Sequence, residues 1–282
     1  MLQFINVMKK LLSLLFAAGL LFTGGVNAVF NGRIAAFESS DGVIGIESLV
    51  RAQGVTNDGE SWYFSGKNGL EKVDIASGEI TALNTKAIPE ELKERFGSEH
   101  IGGIGYANGM IYAPVEDSKV WQHPLIVLYD AETLEYTGKY FELQTENHTR
   151  GVPWCFADAQ NGVLYAGDSR NETRAYKYDL TTLTYLGALE YSREIKEIQG
   201  GEYYNGKLWF GTNDMTRAVY TVDAETGEAE KLFDRITYEY KLIDNFGGEG
   251  EDLTILPMED GTYIHTLQIG ALFIDATLRH YK

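Results

Sequence analysis

The sequence predicts an all-β protein, a five-bladed β-propeller of four-stranded antiparallel blades whose ring is closed by an N-terminal strand. Three observations carry the prediction. A glycine-bearing phrase recurs at Gly54, Gly103, Gly151, Gly201 and Gly248, at intervals of 49, 48, 50 and 47 residues. Each recurrence leads into a strand-like phrase with a polar end: SWYFSGKN, MIYAPVED, VLYAGDSR, LWFGTND and YIHTLQIG. A third phrase in each unit carries an aspartate (Asp74, Asp130, Asp179, Asp223, Asp275), a residue that fixes a turn by accepting backbone N–H groups just beyond it.

Taken in chain order, residues 1–28 predict an export signal. Lys9 and Lys10 precede the apolar run LLSLLFAAGLLF, and small residues lead to VNA, with cleavage expected after Ala28. The apolar run holds 12 residues, short of the roughly 20 that a membrane-spanning helix needs. Residues 29–282 are therefore expected as a single propeller domain, secreted or held in the cell envelope, with no membrane insertion once the signal is removed.

Units of about 48 residues, rich in Tyr, Phe, Val, Ile and Leu and punctuated by Asn, Asp and Gly, have the length and alternation of four short strands. Sheets of that kind arranged radially make a propeller. Only 34 residues follow Gly248, enough for three strands of a fifth sheet. The segment VFNGRIAAFESSDGVIGIES, ahead of the first unit, can supply the fourth strand and leave no sheet edge open at the seam. Between units one and two, AIPEELKERFG (87–97) reads as an inserted helix with Pro89 near its first turn.

Composition narrows the partners. The formal charge of -17 is spread along the chain, which argues against nucleic acid and anionic membrane surfaces. The expected partner is a small molecule or a peptide, and the expected state is a monomer. Cys155 is the single cysteine, so no internal disulfide can form. Between Trp154 and Phe156 it reads as a small buried hydrophobe.

In an antiparallel blade the start of the first strand and the end of the second lie on one face. That face should gather Gln53, His100, His148, Arg150, Gln199, Glu202, Glu249, Glu251 and Asp252 with Lys67, Asn68, Glu116, Asp117, Asp168, Arg170, Asn213 and Asp214. A polar cluster at the channel mouth is the default binding site of such a fold. The candidate ligand contacts are Gln53, His100, His148, Arg150, Trp154, Gln199, Asp117, Asp168 and Asp214. Glu202 and Glu249 are the candidate acid and base, because a carboxyl group at a crowded, partly dry mouth has its pKa raised toward the working range.

Plainer readings stand beside these. The repeated glycines suit five inner strands crowding one axis. His100 and His148 have no HxH or HExxH spacing, so a structural or simply polar role outweighs a metal. The glutamates can pair with Arg51 or Arg150, or hold a Ca²⁺ ion with help from backbone carbonyls. The sequence leaves the cofactor and any metal ligands undetermined. An exposed Trp154 would offer an apolar wall to a ligand, and a buried one would be core.

The order of the blade openings resembles the glutamine cyclotransferase family, the plant and bacterial type of glutaminyl cyclase. RAQGV is similar to that family's TQGL opening, QGGEYYNGKLWFGTND to its NELEYxNGxxYANVWxTD blade, and GVPWCFAD to its GxGWGLT strand. The resemblance covers most of residues 51–256. It implies a five-bladed propeller whose central pocket cyclises N-terminal glutamine, with Glu202 and Trp154 at pocket positions. Where the family continues QGLE this chain has QGVT, so Thr56 stands at the place of the first-blade glutamate. Two functions follow: a propeller that binds a small polar ligand or peptide end at the channel mouth, and a glutaminyl-cyclase-like or lactonase- or lyase-like enzyme using the mouth carboxylates.

Overall fold

The computed structural model describes residues 37–44, 46–117, 119–168, 171–235, 248–270 and 275–282. The expected signal, residues 1–28, and Arg170 lie outside them. Each glycine-led unit folds into its own antiparallel sheet, as its alternation predicts. Blade one consists of β1 (Gly54–Asn57), β2 (Ser61–Gly66), β3 (Gly69–Asp74) and β4 (Ile80–Asn84). Blade two has its inner position shared by two short strands, β5 (His100–Ile101) and β6 (Gly105–Ala107). Both pair with β7 (Met110–Glu116), which is followed by β8 (Leu125–Asp130) and β9 (Tyr136–Glu142).

Blade three runs β10 (Cys155–Asp158), β11 (Val163–Ala166), β12 (Asn171–Asp179) and β13 (Tyr185–Lys196). Blade four runs β14 (Ile198–Tyr204), β15 (Lys207–Thr212), β16 (Ala218–Asp223) and β17 (Ala229–Asp234). Blade five takes β18 (Glu249–Ile255), β19 (Ile264–Ile269) and β20 (Asp275–Tyr281) from the C-terminal end of the chain. Its fourth strand, βN (Phe37–Ile44), comes from the other end and pairs antiparallel with β20 from Phe37↔Tyr281 to Ile44↔Asp275. The ring is thus closed by the N-terminal strand.

Five apolar layers, one per blade interface, hold the ring. Tyr63 and Leu70 of blade one meet Ile101, Ile111 and Val127 of blade two. Tyr112 and Leu128 meet Leu164 and Tyr178 between blades two and three. Trp154 and Phe156 meet Leu208 and Phe210 between three and four. Val219 and Phe233 meet Leu253 and Tyr281 between four and five, and Val55 and Trp62 meet Leu267 and Leu278 at the seam. Removing a buried aromatic from such a layer costs about 3–5 kcal/mol, so each interface is a substantial part of the fold's stability.

The inserted helix, α1 (Glu90–Phe96), follows Pro89 and stops at Gly97, whose φ of 71° provides the left-handed cap. It buries Leu92 and Phe96 on the layer between blades one and two. Asp74, Asp130, Asp179 and Asp223 each accept backbone N–H groups two or three residues on, and each also accepts a Ser or Thr hydroxyl. Asp275 departs from this pattern. It opens β20 instead of ending it, because the fifth unit is completed from the far end of the chain.

The axis is crowded as the glycines imply. A Cβ on Gly103 would sit 2.6 Å from the Gln199 carbonyl and 3.1 Å from the Gly200 Cα. Asp252 occupies the space these glycines leave. It is fully buried and accepts the N–H of Val55 at 3.1 Å and of Leu253 at 2.7 Å, tying blade one to blade five across the channel.

Candidate functional site

The inner-strand openings line an open cavity of about 700 Å³. Gln53, His100, Arg150, Gln199 and Glu249, one from the opening of each blade, line it. Glu116 and Asn213, from the ends of the returning strands β7 and β15, join them, with Trp121, Pro153, Glu197 and Ile198. Antiparallel pairing explains the convergence: Glu116 lies opposite His100 because the second strand returns to the face where the first began.

Short contacts fix several of these groups. His100 Nε2 lies 2.8 Å from Gln53 Oε1, and Nδ1 lies 3.3 Å from Glu116 Oε1. Glu116 Oε2 accepts the Val152 N–H at 2.9 Å. Asn213 Oδ1 accepts the Gly250 N–H at 2.9 Å, and the Asn213 N–H donates to the Glu197 carbonyl at 2.8 Å. Glu251, two residues past Glu249 on β18, is buried. Burial, and after it the nearby Glu249, push the Glu251 carboxyl well above the usual range.

The other candidates sit elsewhere. His148 is fully buried, with Nδ1 2.8 Å from the Gly167 carbonyl and Nε2 2.8 Å from the Tyr178 hydroxyl. Burial lowers its pKa to about 4, which leaves it a neutral core group. Trp154 is also fully buried, stacked on Phe156 at 5.3 Å, with its indole N–H donated to Glu172 at 2.9 Å. Asp168 holds the Arg150 N–H and the Thr149 hydroxyl, at 3.0 and 3.1 Å. Asp117 accepts the Gln122 N–H at 3.1 Å, and Asp214 closes a turn through Thr216 and Ala218. These three shape the loops of the mouth and do not line the cavity.

Glu202 points away from the mouth. Its carboxylate accepts the Thr254 hydroxyl and the Ile255 N–H, the latter at 2.7 Å, between blades four and five. Burial raises its pKa to about 7 against the lowering effect of these two donors. Its charge contributes in turn to the raised pKa of Asp252, which burial dominates. Glu202 and Asp252 therefore lie outside the lining of the mouth, which is a mixed set of amides and charges.

Among the described residues no three His, Cys, Asp or Glu side chains converge as a metal site, and no helix is long and apolar enough to cross a membrane. Reading by repeats left out Trp121, Pro153, Glu197 and Ile198. Glu197 and Ile198 immediately precede QGGE, a proximity that marks them. Trp121 lies in a connection outside the repeated phrases, with a φ of 49°, and nothing in the period marks it.

Fold and mouth together define a five-bladed propeller with a polar cavity at one end of its axis. Among solved structures the chain is similar to glutaminyl cyclase of Myxococcus xanthus, with a TM-score of 0.57 over 88% of this chain and 97% of that one, at 13% sequence identity. No family model matches the chain, and no curated protein does.

Proposed function

We propose that this propeller is exported, works as a monomer, and binds a small polar ligand or a peptide end in the mouth cavity. One observation carries the reading: the openings of all five blades contribute a polar side chain to a single space of about 700 Å³, within the size range of small-molecule sites. The lining mixes amides, carboxylates, an imidazole and a guanidinium, a set suited to a ligand bearing both donors and acceptors. The acidic chain does not suit nucleic acid.

A panel of amino acids, amides and dipeptides tests it by thermal shift. A ligand at a hundred times its Kd stabilises the folded state by about 2.7 kcal/mol. Arg150→Ala and Glu249→Gln are expected to remove the shift. A panel that moves nothing, or a shift that survives both substitutions, ends the reading.

The fold shared with a glutaminyl cyclase supports a second reading, an enzyme of the cyclase or lactonase/lyase type that uses the mouth carboxylates. In it Glu249, which lines the cavity, handles the proton. Incubation with Gln-initiated peptides should release ammonia and leave pyroglutamate. No product from the wild type removes the cyclase form of this reading and leaves the binding form standing.

A further inference from the structure

We propose that a histidine pair at the seam latches the closing strand βN to β20 while the pair holds one extra proton, and frees it when that proton is lost as pH rises. His265 on β19 and His280 on β20 stand opposite each other, and Asp41 of βN pairs with Leu278, two residues from His280. Strand alternation puts these side chains on one face of blade five, the face that meets blade one. Both rings are buried there against Trp62 of β2, at 4.8 Å for His265 and 6.4 Å for His280 between ring centroids.

Three contacts set the proton count of the pair. His265 Nε2 lies 2.8 Å from the Leu256 carbonyl, His265 Nδ1 lies 2.6 Å from His280 Nδ1, and His280 Nε2 lies 3.3 Å from Asp41 Oδ2. A carbonyl and an ionised carboxylate can only accept, and two facing ring nitrogens need one hydrogen between them. The three contacts therefore require three N–H groups, whereas two neutral imidazoles carry two. The pair completes its contacts only as a monocation. A further proton would put hydrogens on both facing nitrogens and break the contact between the rings.

The surroundings place the charge on His280. Burial lowers the His265 pKa to about 4, which leaves the extra proton to its partner. The hydrogen bond from His280 holds the Asp41 carboxyl below its ordinary range, so Asp41 stays ionised where histidines change charge. Arg51, ahead of blade one, acts on Asp41, and Asp260, ahead of β19, acts on both rings and is itself offset by Lys282. Arg279 falls on the opposite face of β20 by alternation. As pH rises, His280 Nε2 gives its proton to water, and the electron pair left on the nitrogen faces the Asp41 carboxylate. Attraction becomes repulsion, and βN keeps only its backbone ladder. Asp41 is 79% exposed, so the effect is on the scale of a surface pair, about two- to fivefold in the opening equilibrium.

The test is hydrogen exchange of the strand Phe37–Ile44, read by mass spectrometry at about pH 5.5 and about pH 8, near the two ends of the range in which histidines titrate. Rates are corrected for the chemical exchange rate, with Leu125–Asp130 of blade two as internal reference. Protection of the closing strand should fall about two- to fivefold from the lower to the higher pH, relative to the reference. Asp41→Asn, at an exposed position, should fold and lose this dependence, because an amide can turn either its oxygen or its NH₂ to Nε2. Long-range ¹H–¹⁵N NMR should show His280 protonated on both nitrogens at the lower pH and His265 as the neutral Nε2–H tautomer. Equal protection at the two pH values, a dependence that Asp41→Asn retains, or a neutral His280 at the lower pH overturns the latch. An equal fall in the reference strand marks a change in the whole fold and overturns it too.

Discussion

Glu202→Gln should change the pH dependence of stability more than stability itself. The Glu202 carboxyl lies half-buried between blades four and five, with Thr254 and Ile255 donating to one of its oxygens. Burial holds its pKa at about 7 in the folded chain against 4.5 for an ordinary glutamate. A carboxyl with a raised folded pKa contributes fully below pH 4.5, and the contribution is lost as pH rises through about 7. One pH unit of difference is worth about 1.4 kcal/mol, so the window holds about 3.5 kcal/mol at most. Glutamine keeps the accepting carbonyl and has no proton to lose. The two proteins should match within about 1 kcal/mol at pH 5, and from there to pH 8 the Gln variant should gain about 2–3 kcal/mol on the wild type. That is a relative rise of roughly 5–10 °C in Tm for a domain of this size. Urea unfolding at the two pH values, with equal m, measures it. A difference between the two proteins that does not change with pH refutes the reasoning.

Other perturbations follow from the same packing. His148 is buried neutral with a pKa of about 4, so wild-type stability should fall as pH drops from 6.5 through 4. In His148→Gln this acid loss should shrink, at a cost of about 1–3 kcal/mol at pH 7 for a disturbed buried hydrogen bond, both read from urea curves. Trp154→Phe should cost about 1–3 kcal/mol by leaving Glu172 without its indole donor, and a neutral result in urea would show that the bond contributes nothing. Gly200→Ala drives a Cβ into the Asp252 carboxylate, so a loss of more than about 2 kcal/mol, or failure to fold, is expected. Wild-type stability of that variant would mean the axis has slack.

The five-bladed plan was legible because it is written five times. Glycines at the crowded axis and aspartates at the turns recur with a period that no single blade could reveal. Asp275 broke the pattern for a topological reason, since a unit assembled from both chain ends need not place its landmarks as the others do. The site was legible as a face, and four of the predicted contacts, Gln53, His100, Arg150 and Gln199, share one cavity with Glu249, a candidate acid or base. Depth was not legible. Glu202 lies three residues past Gln199 on β14, and about 10 Å of strand separates mouth from seam at roughly 3.3 Å per residue. Sequence order alone assigns both to the same opening. Likewise Trp154 and His148 precede β10, but whether such a ring turns into an interface or the mouth depends on packing between blades, which one blade's alternation does not encode.

The strand that closes the ring has a consequence in time. Phe37–Ile44 is made before any of blades one to four, yet its partner, Asp275–Tyr281, is made after all of them. Until the last strand exists the earlier one has no neighbour to join, and the unfinished ring presents two bare sheet edges. Pairing across so long a stretch of chain is slow to nucleate. The seam is thus the final step of assembly, and in that interval the nascent protein is most open to pairing with the wrong strand.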